Sequence, residues 1–369
     1  MASVKAVYAA LKRLLDAFEP DVVLTPNFAS MIQDVARLLA LRRGVKMVGV
    51  FYTKISGRFA FTYSPHVADG PFIERVDALN AGALSPHEAE ARAYVEGFCE
   101  AFLAPKPAAA RPPLRRRLLA EAMPYLLIGR YYQKKLLGKE ERRANLGITL
   151  DHRPPRIVLR DHYQHKRNRR RALRYPYTPL EGLGPYAYFP LQFQPEAQID
   201  VISPYFSNQI EVARLAAQAL PGDLVLAVKE HPSMVGRRGR SYYDKLARSP
   251  NVKLIDCRVP SGQVIRGARL VLSPSSTTIS EAAFFRVPAI QFGDMGITLK
   301  LPNVVKHTDM TTLSARVREA LACDLHGEDY DRRLRNYVAA AYDVGFELPY
   351  VRMWERGGDE AELEALWRC

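Results

Sequence analysis

Polar side chains follow a buried strand in the stretch LVLAVKEHP. Lys229 and His231 stand directly after the apolar residues, and Pro232 prevents the strand from continuing. An ammonium and an imidazole can both donate hydrogen bonds to an anionic oxygen, and the imidazole changes its protonation state near neutral pH. The stretch is therefore predicted to contact a phosphate. The alternative is a surface turn in which Glu230 pairs with Lys229, a contact worth at most ~1 kcal/mol.

Hydroxyl residues follow a second strand, in the stretch LSPSSTTISEAA. Ser275, Ser276 and Thr277 lead into a helix. The first N–H groups of a helix lack partners within it, so hydroxyls beside them favour a bound phosphate. Glu281, one turn further on, can accept hydrogen bonds from ribose hydroxyls. The alternative is ordinary capping, because Thr278 and Glu281 have the spacing of a capping box.

A third strand end lies in the stretch FPLQFQPEAQ. Gln194 and Glu196 flank Pro195 there. The proline ends the strand, so neighbouring amides can point into a cleft instead of pairing within the sheet. A carboxylate in a cleft can act as a general base or as a nucleophile, which makes Glu196 and His231 the candidate catalytic residues. The alternative is a polar turn without a ligand.

The spacing of apolar residues predicts the elements that must position these strand ends. In the N-terminal third, the strands DVVLTPN and KMVGVFYT are separated by a helix, and from Tyr186 onwards strands and helices alternate regularly. This order predicts parallel sheets, whose ligands lie outside the carboxyl ends of the strands. The predicted fold class is α/β, with two Rossmann-like domains facing a cleft and a basic, mainly helical middle segment.

Three domains are predicted along the 369 residues. Residues 1–105 form an N-terminal Rossmann-like domain, although its strands are few for a complete sheet. Residues 106–182 form a basic helical insertion that opens with the proline-rich stretch APKPAAARPP. Residues 183–369 form the C-terminal Rossmann-like domain, which carries all three polar strand ends.

The middle segment carries the whole excess of positive charge. The chain has a net charge of +14, and residues 106–180 contain 20 Lys and Arg against 5 Asp and Glu, so the remainder is nearly neutral. One interpretation is a solvated basic helical segment. Another is an arm that contacts anionic lipid or an anionic glycan. Nucleic acid is a third option, but no recognisable binding module is present and none is expected as a partner.

Several other function classes lack their sequence signals. The four cysteines are scattered without a CxxC pair, which suits reduced thiols in the cytoplasm. No apolar run is long enough to span a membrane, and the amphipathic start does not match a signal peptide. Neither GxxxxGK[ST] nor GxGxxG occurs, and no DxD pair is evident. We therefore expect neither a cofactor nor a bound metal.

The stretches YFPLQFQPEA, VKEHPS and LVLSPSSTTISEAAFFRVPAIQFG resemble the capsule polysaccharide synthesis family of bacterial GT-B glycosyltransferases, which includes Kdo transferases. The resemblance covers residues 186–293 and extends to the N-terminal third only in architecture. It implies a donor site for a nucleotide sugar, with a glutamine-proline and a histidine-proline motif. The implied donor-binding residues are Gln194, Pro195, Lys229, His231, Pro232, Ser275, Ser276, Thr277 and Glu281.

The resemblance implies transfer of a sugar, CMP-Kdo being one candidate donor, to a surface polysaccharide or its lipid-linked acceptor. Acceptor contacts are expected from Asn27 and Arg58, at strand ends of the N-terminal third. The cytoplasm, at the inner face of the membrane, is the expected location. Two alternatives remain open: a nucleotide-sugar epimerase on the same fold, and a non-catalytic factor for capsule assembly or export.

Overall fold

A computed structural model describes residues 2–28, 30–105, 113–137 and 154–347, together with residues 353, 360, 361 and 364. The chain divides into two compact units. The larger unit comprises Met1–Leu103, Thr178–His231 and Leu246–Cys369, and the smaller comprises Ala104–Tyr177 and Pro232–Lys245. Most of the predicted proline-rich linker, residues 106–112, and Cys369 lie outside the described residues.

The larger unit begins with a small mixed sheet. Strands β1 and β2 are parallel, as expected for a strand-helix-strand unit, and β3 adds to β2 in the antiparallel direction. The sequence analysis did not predict β3 or the helix that follows it. The elements of this region are α1 (Ala2–Phe18), β1 (Val22–Thr25), α2 (Met31–Arg42), β2 (Lys46–Tyr52), β3 (Phe59–Thr62), α3 (Pro71–Asn80) and α4 (Glu88–Leu103).

The smaller unit contains two helices of the predicted basic segment, α5 (Leu114–Leu136) and α6 (Pro155–Leu173). They run antiparallel, because Glu121 of α5 pairs with Lys166 of α6 while Tyr125, further along α5, meets the earlier residue Tyr163. The helical prediction is confirmed for these two stretches, and residues 138–153 lie outside the described part of the chain. Within that part, we find no helix that is both long and apolar enough to cross a bilayer.

The larger unit continues with a six-stranded, fully parallel sheet. Its helices and strands alternate as predicted, and the sequence analysis missed β9, α12 and α13. The short helix α9 carries the chain from the smaller unit back to the larger one. The elements are β4 (Tyr186–Pro190), α7 (Ala197–Asp200), α8 (Gln209–Ala219), β5 (Val225–Lys229), α9 (Arg240–Leu246), β6 (Val252–Ile255), α10 (Ser261–Gly267), β7 (Leu270–Ser273), α11 (Thr277–Phe284), β8 (Ala289–Gln291), β9 (Val304–Lys306), α12 (Leu313–Leu321) and α13 (Glu328–Val344).

The strand order of this sheet is β6-β5-β4-β7-β8-β9. It is the Rossmann order, in which the chain first builds outward from β4 in one direction and then restarts on its other side at β7. Strands β4 and β7 are buried along their whole length, as central strands covered on both faces must be. The predicted α/β class with two Rossmann-like sheets is therefore confirmed.

The last described helix, α13, packs against the N-terminal region. Tyr337 and Val338 of α13 share a hydrophobic cluster with Phe72 of α3, and the Tyr337 hydroxyl donates to the Thr53 carbonyl at 2.9 Å. The chain placed with the C-terminal domain by sequence thus also completes the core beside the first sheet.

Candidate active site

The point where the strand order reverses, between β4 and β7, is where open α/β sheets bind ligands. The loops after β4 and β7 flank this point. They are linked across it: the Ser275 hydroxyl donates to the Gln198 carbonyl at 2.9 Å, and the Ser203 hydroxyl to that of Ser275 at 3.3 Å. Two of the three predicted strand ends therefore meet at the reversal point.

The loop after β4 is held by a network of glutamine side chains. Gln209 donates to the Gln194 amide oxygen at 2.6 Å, and Gln194 donates to Asp200 at 3.2 Å and to the Ser207 carbonyl at 3.0 Å. The amide of Gln194, predicted to contact the donor, is thus engaged within the protein. It fixes the loop that carries Pro195 and Glu196 toward solvent.

Glu196 is the exposed carboxylate at this edge. Its backbone N–H donates to Asp200 at 2.9 Å, which fixes the residue at the start of α7. Partial burial of the carboxyl raises its pKa, the ammonium of Lys54 lowers it, and the Asp200 carboxylate raises it; the net shift is upward. A carboxyl with a raised pKa in a cleft is a candidate proton acceptor.

The end of β5 is buried, which contradicts the alternative of a surface turn. Lys229 and Glu230 are 4% and 3% exposed, and Lys229 donates to the Ser261 hydroxyl at 3.0 Å. Burial lowers the pKa of Lys229, an effect that Cys257 and Glu281 oppose. Lys229 therefore contributes positive potential from beneath the edge, where its charge is only weakly screened.

His231 is the accessible donor of this strand end. The residue is exposed, its ring stands edge-on to Phe193 with 5.9 Å between centroids, and its backbone N–H donates to Glu230 at 2.8 Å. The ring contact places the loops after β4 and β5 side by side. All three predicted strand ends thus gather at one edge of the sheet.

The three hydroxyl residues after β7 have different surroundings. Ser275 is fully buried in the link described above, Ser276 caps α11 by accepting from the Thr278 N–H at 3.1 Å, and Thr277 is exposed. Ordinary capping is therefore present, with Ser276 as the N-cap, but the pair predicted for it, a capping box of Thr278 and Glu281, is wrong. The surface available to an anion is the helix start at Ser276 and Thr277.

The charge of Glu281 acts on residues of both sheets. Burial raises the pKa of Tyr52 and of Tyr188, and Glu281 adds to both shifts. Burial lowers the pKa of Lys54 and of Lys229, and Glu281 opposes both shifts. Tyr52 ends β2 of the first sheet and Lys54 follows it, whereas Tyr188 and Lys229 belong to the second sheet. A carboxylate within range of both sheets is well placed to bind a hydroxyl-bearing ligand between them.

Lys54 is the functional candidate that the sequence analysis missed. It has a left-handed backbone, φ 71°, in a loop held by bonds from the Thr53 N–H to the Arg58 carbonyl at 3.1 Å and from the Ser56 N–H to the Tyr94 hydroxyl at 3.2 Å. Burial lowers the pKa of Lys54, while Glu196 and Glu281 oppose this shift. Among the described residues no acid lies within ion-pair distance of its ammonium. Strained, partly buried cations of this kind concentrate at functional sites.

Arg58, the acceptor contact predicted from sequence, faces the C-terminal helix instead. Its guanidinium lies 2.9 Å from Glu347 and 4.6 Å from the centre of the Tyr342 ring. Arg58 therefore stabilises the contact between its loop and α13. Lys54 is the basic side chain of this loop that lines the cleft, and Asn27 also lines it. Contact of Asn27 with an acceptor stays a prediction.

A cavity of about 210 Å³ lies between the carboxyl ends of the two sheets. Asn27, Tyr52 and Lys54 line it from the first sheet, and Gln198 and Met295 from the second. Its remaining walls are mostly apolar. The predicted cleft between the two sheets is thus present, with Lys54 on its wall.

Metal-binding chemistry has no candidate cluster in the described part of the chain, where no three His, Cys, Asp or Glu side chains are grouped to hold an ion. Cys99, Cys257 and Cys323 are free thiols. The described side chains at this edge that can oppose a negative charge include Lys54, Lys229 and His231.

No family model matches the chain, and no curated protein matches it either. Solved structures with similarity over most of the chain include two transferases of Thermosulfurimonas dismutans and one archaeal epimerase. KpsC β-Kdo 2,4 transferase shares 12% identity, with 93% of this chain and 84% of that chain covered and a TM-score of 0.44. KpsC β-Kdo 2,7 transferase shares 13% sequence identity, with 90% of this chain and 79% of that chain covered and a TM-score of 0.39. Methanocaldococcus jannaschii UDP-GlcNAc 2-epimerase shares 12% sequence identity, with 89% of this chain and 78% of that chain covered and a TM-score of 0.35. These similarities do not by themselves assign an activity.

Proposed function

We propose that this protein is a glycosyltransferase that moves a sugar from a nucleotide-activated donor, with CMP-Kdo as one candidate, to a bacterial surface polysaccharide or its lipid-linked acceptor. The observation that carries the proposal is the convergence of three polar strand ends at one edge of the parallel sheet, two of them at its reversal point, opposite Lys54. That arrangement offers anion-binding groups on one side of a cleft and a second substrate surface on the other.

The donor phosphate is assigned to the loops after β5 and β7. His231 donates a hydrogen bond to it, the start of α11 at Ser276 and Thr277 adds N–H and hydroxyl donors, and Lys229 adds potential from below. Hydrogen bonds to charged groups contribute about 1.5–3 kcal/mol each, so two or three of them can reach the ~4 kcal/mol that corresponds to millimolar affinity. Glu281 is assigned to the ribose, and Gln194 with Pro195 shapes the loop beside it.

Transfer breaks the bond between the anomeric carbon and the phosphate oxygen, and the bonding electrons leave with the nucleotide. An acceptor hydroxyl forms the new bond to that carbon and loses its proton. We assign Glu196 as the base that takes the proton, or as a nucleophile that forms a transient glycosyl ester. Positive groups aimed at the departing phosphate stabilise the charge that develops on it. Asn27 and Lys54 are assigned to the acceptor.

Calorimetric titration with CMP and UDP tests the donor site. We expect one nucleotide to bind the wild type, and His231→Ala to weaken this binding about tenfold through loss of a charged hydrogen bond. His326→Ala is the matched control, because His326 is an exposed histidine remote from the three strand ends. Absence of binding to both nucleotides, or equal affinity in the wild type and His231→Ala, would reject the assignment.

Incubation with nucleotide sugars separates the transferase from its alternatives. An epimerase converts the donor without an acceptor, whereas a transferase forms a new glycoside only when an acceptor is added. A non-catalytic assembly or export factor does neither, even when it binds the nucleotide. We propose that the transfer takes place in the cytoplasm at the inner face of the membrane, where lipid-linked acceptors are available.

A further inference from the structure

The two basic helices α5 and α6 expose apolar side chains that a helix in water normally buries. Leu119, Met123, Leu126 and Leu127 of α5 are 46–56% exposed. Their spacing places them on one face of the helix, roughly opposite Tyr125, whose hydroxyl contacts α6 at 2.7 Å. This apolar face therefore points away from the partner helix.

Helix α6 presents a basic face with the same kind of spacing. Tyr163, Lys166, Arg167, Arg170 and Arg171 stand at positions i, i+3, i+4, i+7 and i+8 and line a groove of about 410 Å³. Tyr163 and the three arginines are exposed. Together α5 and α6 carry 13 Lys and Arg against 2 Asp and Glu. Glu121 already pairs with Lys166 and Asp161 with Arg160, so the two helices have no further acid to pair with Arg167, Arg170 and Arg171.

The geometry points to an anionic lipid bilayer as the partner of this surface. Leucine and methionine side chains on one helix fit the boundary between headgroups and acyl chains, and an arginine-lined groove on the other fits phosphate headgroups. Nucleic acid would use the charge but would leave the apolar face of α5 in water. Neither helix can span the membrane, so the surface binds at the interface. This inference does not depend on the proposed enzymatic activity.

Vesicle flotation of the full chain at physiological salt tests the inference. We expect co-flotation with vesicles of phosphatidylcholine and phosphatidylglycerol at 7:3, and none with phosphatidylcholine alone. Arg167→Gln/Arg170→Gln/Arg171→Gln should reduce partitioning on the order of 100-fold, at about fivefold per basic residue. Leu119→Gln/Met123→Gln/Leu126→Gln/Leu127→Gln should also reduce it, since the apolar contact is lost.

The control variant is Arg13→Gln/Arg248→Gln/Arg318→Gln, which removes the same charge from exposed positions in the larger unit. Circular dichroism melting verifies that each variant folds. The inference is overturned if the wild type does not co-float with anionic vesicles, or if partitioning of the control variant falls as much as that of the α6 variant. It is also overturned if an equimolar DNA or RNA duplex abolishes flotation. A second copy of the chain would be the partner instead if the α5 variant keeps its partitioning but changes from a dimer to a monomer, and this result too would overturn the inference.

Discussion

At the scale of single residues, Lys54 combines three costs that the fold offsets only in part, through the Tyr52 ring, whose centre lies 5.8 Å from the ammonium. Its backbone is left-handed, its ammonium is partly buried, and among the described residues its nearest acids, Glu196 and Glu281, act only at a distance. Holding a residue other than glycine in the left-handed backbone region costs on the order of 1–3 kcal/mol of folding free energy. Residues held at such cost are expected where a ligand benefits from them.

Lys54→Met tests this trade-off between function and stability. We expect the substitution to raise the free energy of unfolding by about 0.5–2 kcal/mol at pH 7, because a partly buried charge is replaced by an apolar side chain of similar length. Transfer to the acceptor should fall at least tenfold. Thermal melting and a transfer assay measure the two effects, and Lys54→Arg should retain part of the activity. A less stable Lys54→Met protein with full activity would contradict the prediction.

Glu196 should set the acidic limb of the pH–activity profile. Burial raises its pKa and Lys54 partly lowers it again, so the ionised base is lost as the pH falls through a value above the usual range. Lys54→Met removes the lowering effect, and we expect the acidic limb to move to higher pH. The measurement is kcat/KM between about pH 4 and 8 in both proteins. If the acidic limb lies at the same pH in the wild type and in Lys54→Met, a group other than Glu196 sets it.

At the scale of elements, the loops at the sheet edge depend on close backbone packing. A Cβ atom on Gly293, after β8, would stand 1.8 Å from the Ser203 hydroxyl and 2.8 Å from the Pro274 carbonyl. The Gly293 N–H also donates to that carbonyl at 2.7 Å. The absence of a side chain at Gly293 therefore keeps the loop after β8 in contact with the loops after β7 and α7.

Gly293→Ala should destabilise the fold by about 1–3 kcal/mol, because the new methyl group separates these loops. Urea unfolding measures the change. Gly222→Ala is the control, since no atom lies within 4 Å of the position that its new methyl group would take. It should alter stability by less than about 1 kcal/mol. Equal effects of the two substitutions would show that the edge loops adapt freely.

The elements also show how far sequence could predict the site. The strand ends were predictable because apolar runs and prolines mark them locally. The roles of Gln194 and Ser275 were not, because their partners Gln209 and Gln198 lie 15 and 77 residues away along the chain. Lys54 escaped prediction for a similar reason: its loop resembles an ordinary turn until the second sheet is placed opposite it.

At the scale of the whole molecule, α13 ties the end of the described chain to its beginning. Asp343 accepts from Ser85 at 2.7 Å and Arg75 at 2.7 Å, and His87 lies 2.8 Å away. Burial raises the pKa of Asp343, but hydrogen bonds from Ser85, His87 and Arg75 outweigh it, so the pKa lies below its usual value. The carboxylate thus stabilises the fold in its ionised form.

Asp343→Asn should lower the free energy of unfolding by about 2 kcal/mol at pH 7, since two or three charged hydrogen bonds are weakened. Because the folded-state pKa is depressed, this contribution is present above the unfolded pKa near ~3.9 and is lost as the pH falls through the folded value. Urea titrations at several pH values should therefore converge for the two proteins in acid.

Asp329→Asn provides the comparison on the same helix. Among the residues that the structure describes, Asp329 pairs with Arg332 alone, three residues along an exposed face, and should contribute less than about 0.5 kcal/mol at any pH. If Asp329→Asn lowered the free energy of unfolding as much as Asp343→Asn, a general effect on the stability of α13 would explain both results. The contact between α13 and the N-terminal region would then not be needed as an explanation.

The return of α13 also constrains the order of events during synthesis. The first sheet is synthesised early, yet the Tyr337 hydroxyl that binds Thr53 lies 284 residues further along the chain, and the Phe346 backbone that pairs with Phe59 follows it. Until then the nascent N-terminal region carries an apolar surface without its cover. The side of the cleft formed by the first sheet is therefore completed only after the strands of the second sheet have been synthesised, and a ribosome that stalls between β9 and α13 leaves a first sheet without this cover.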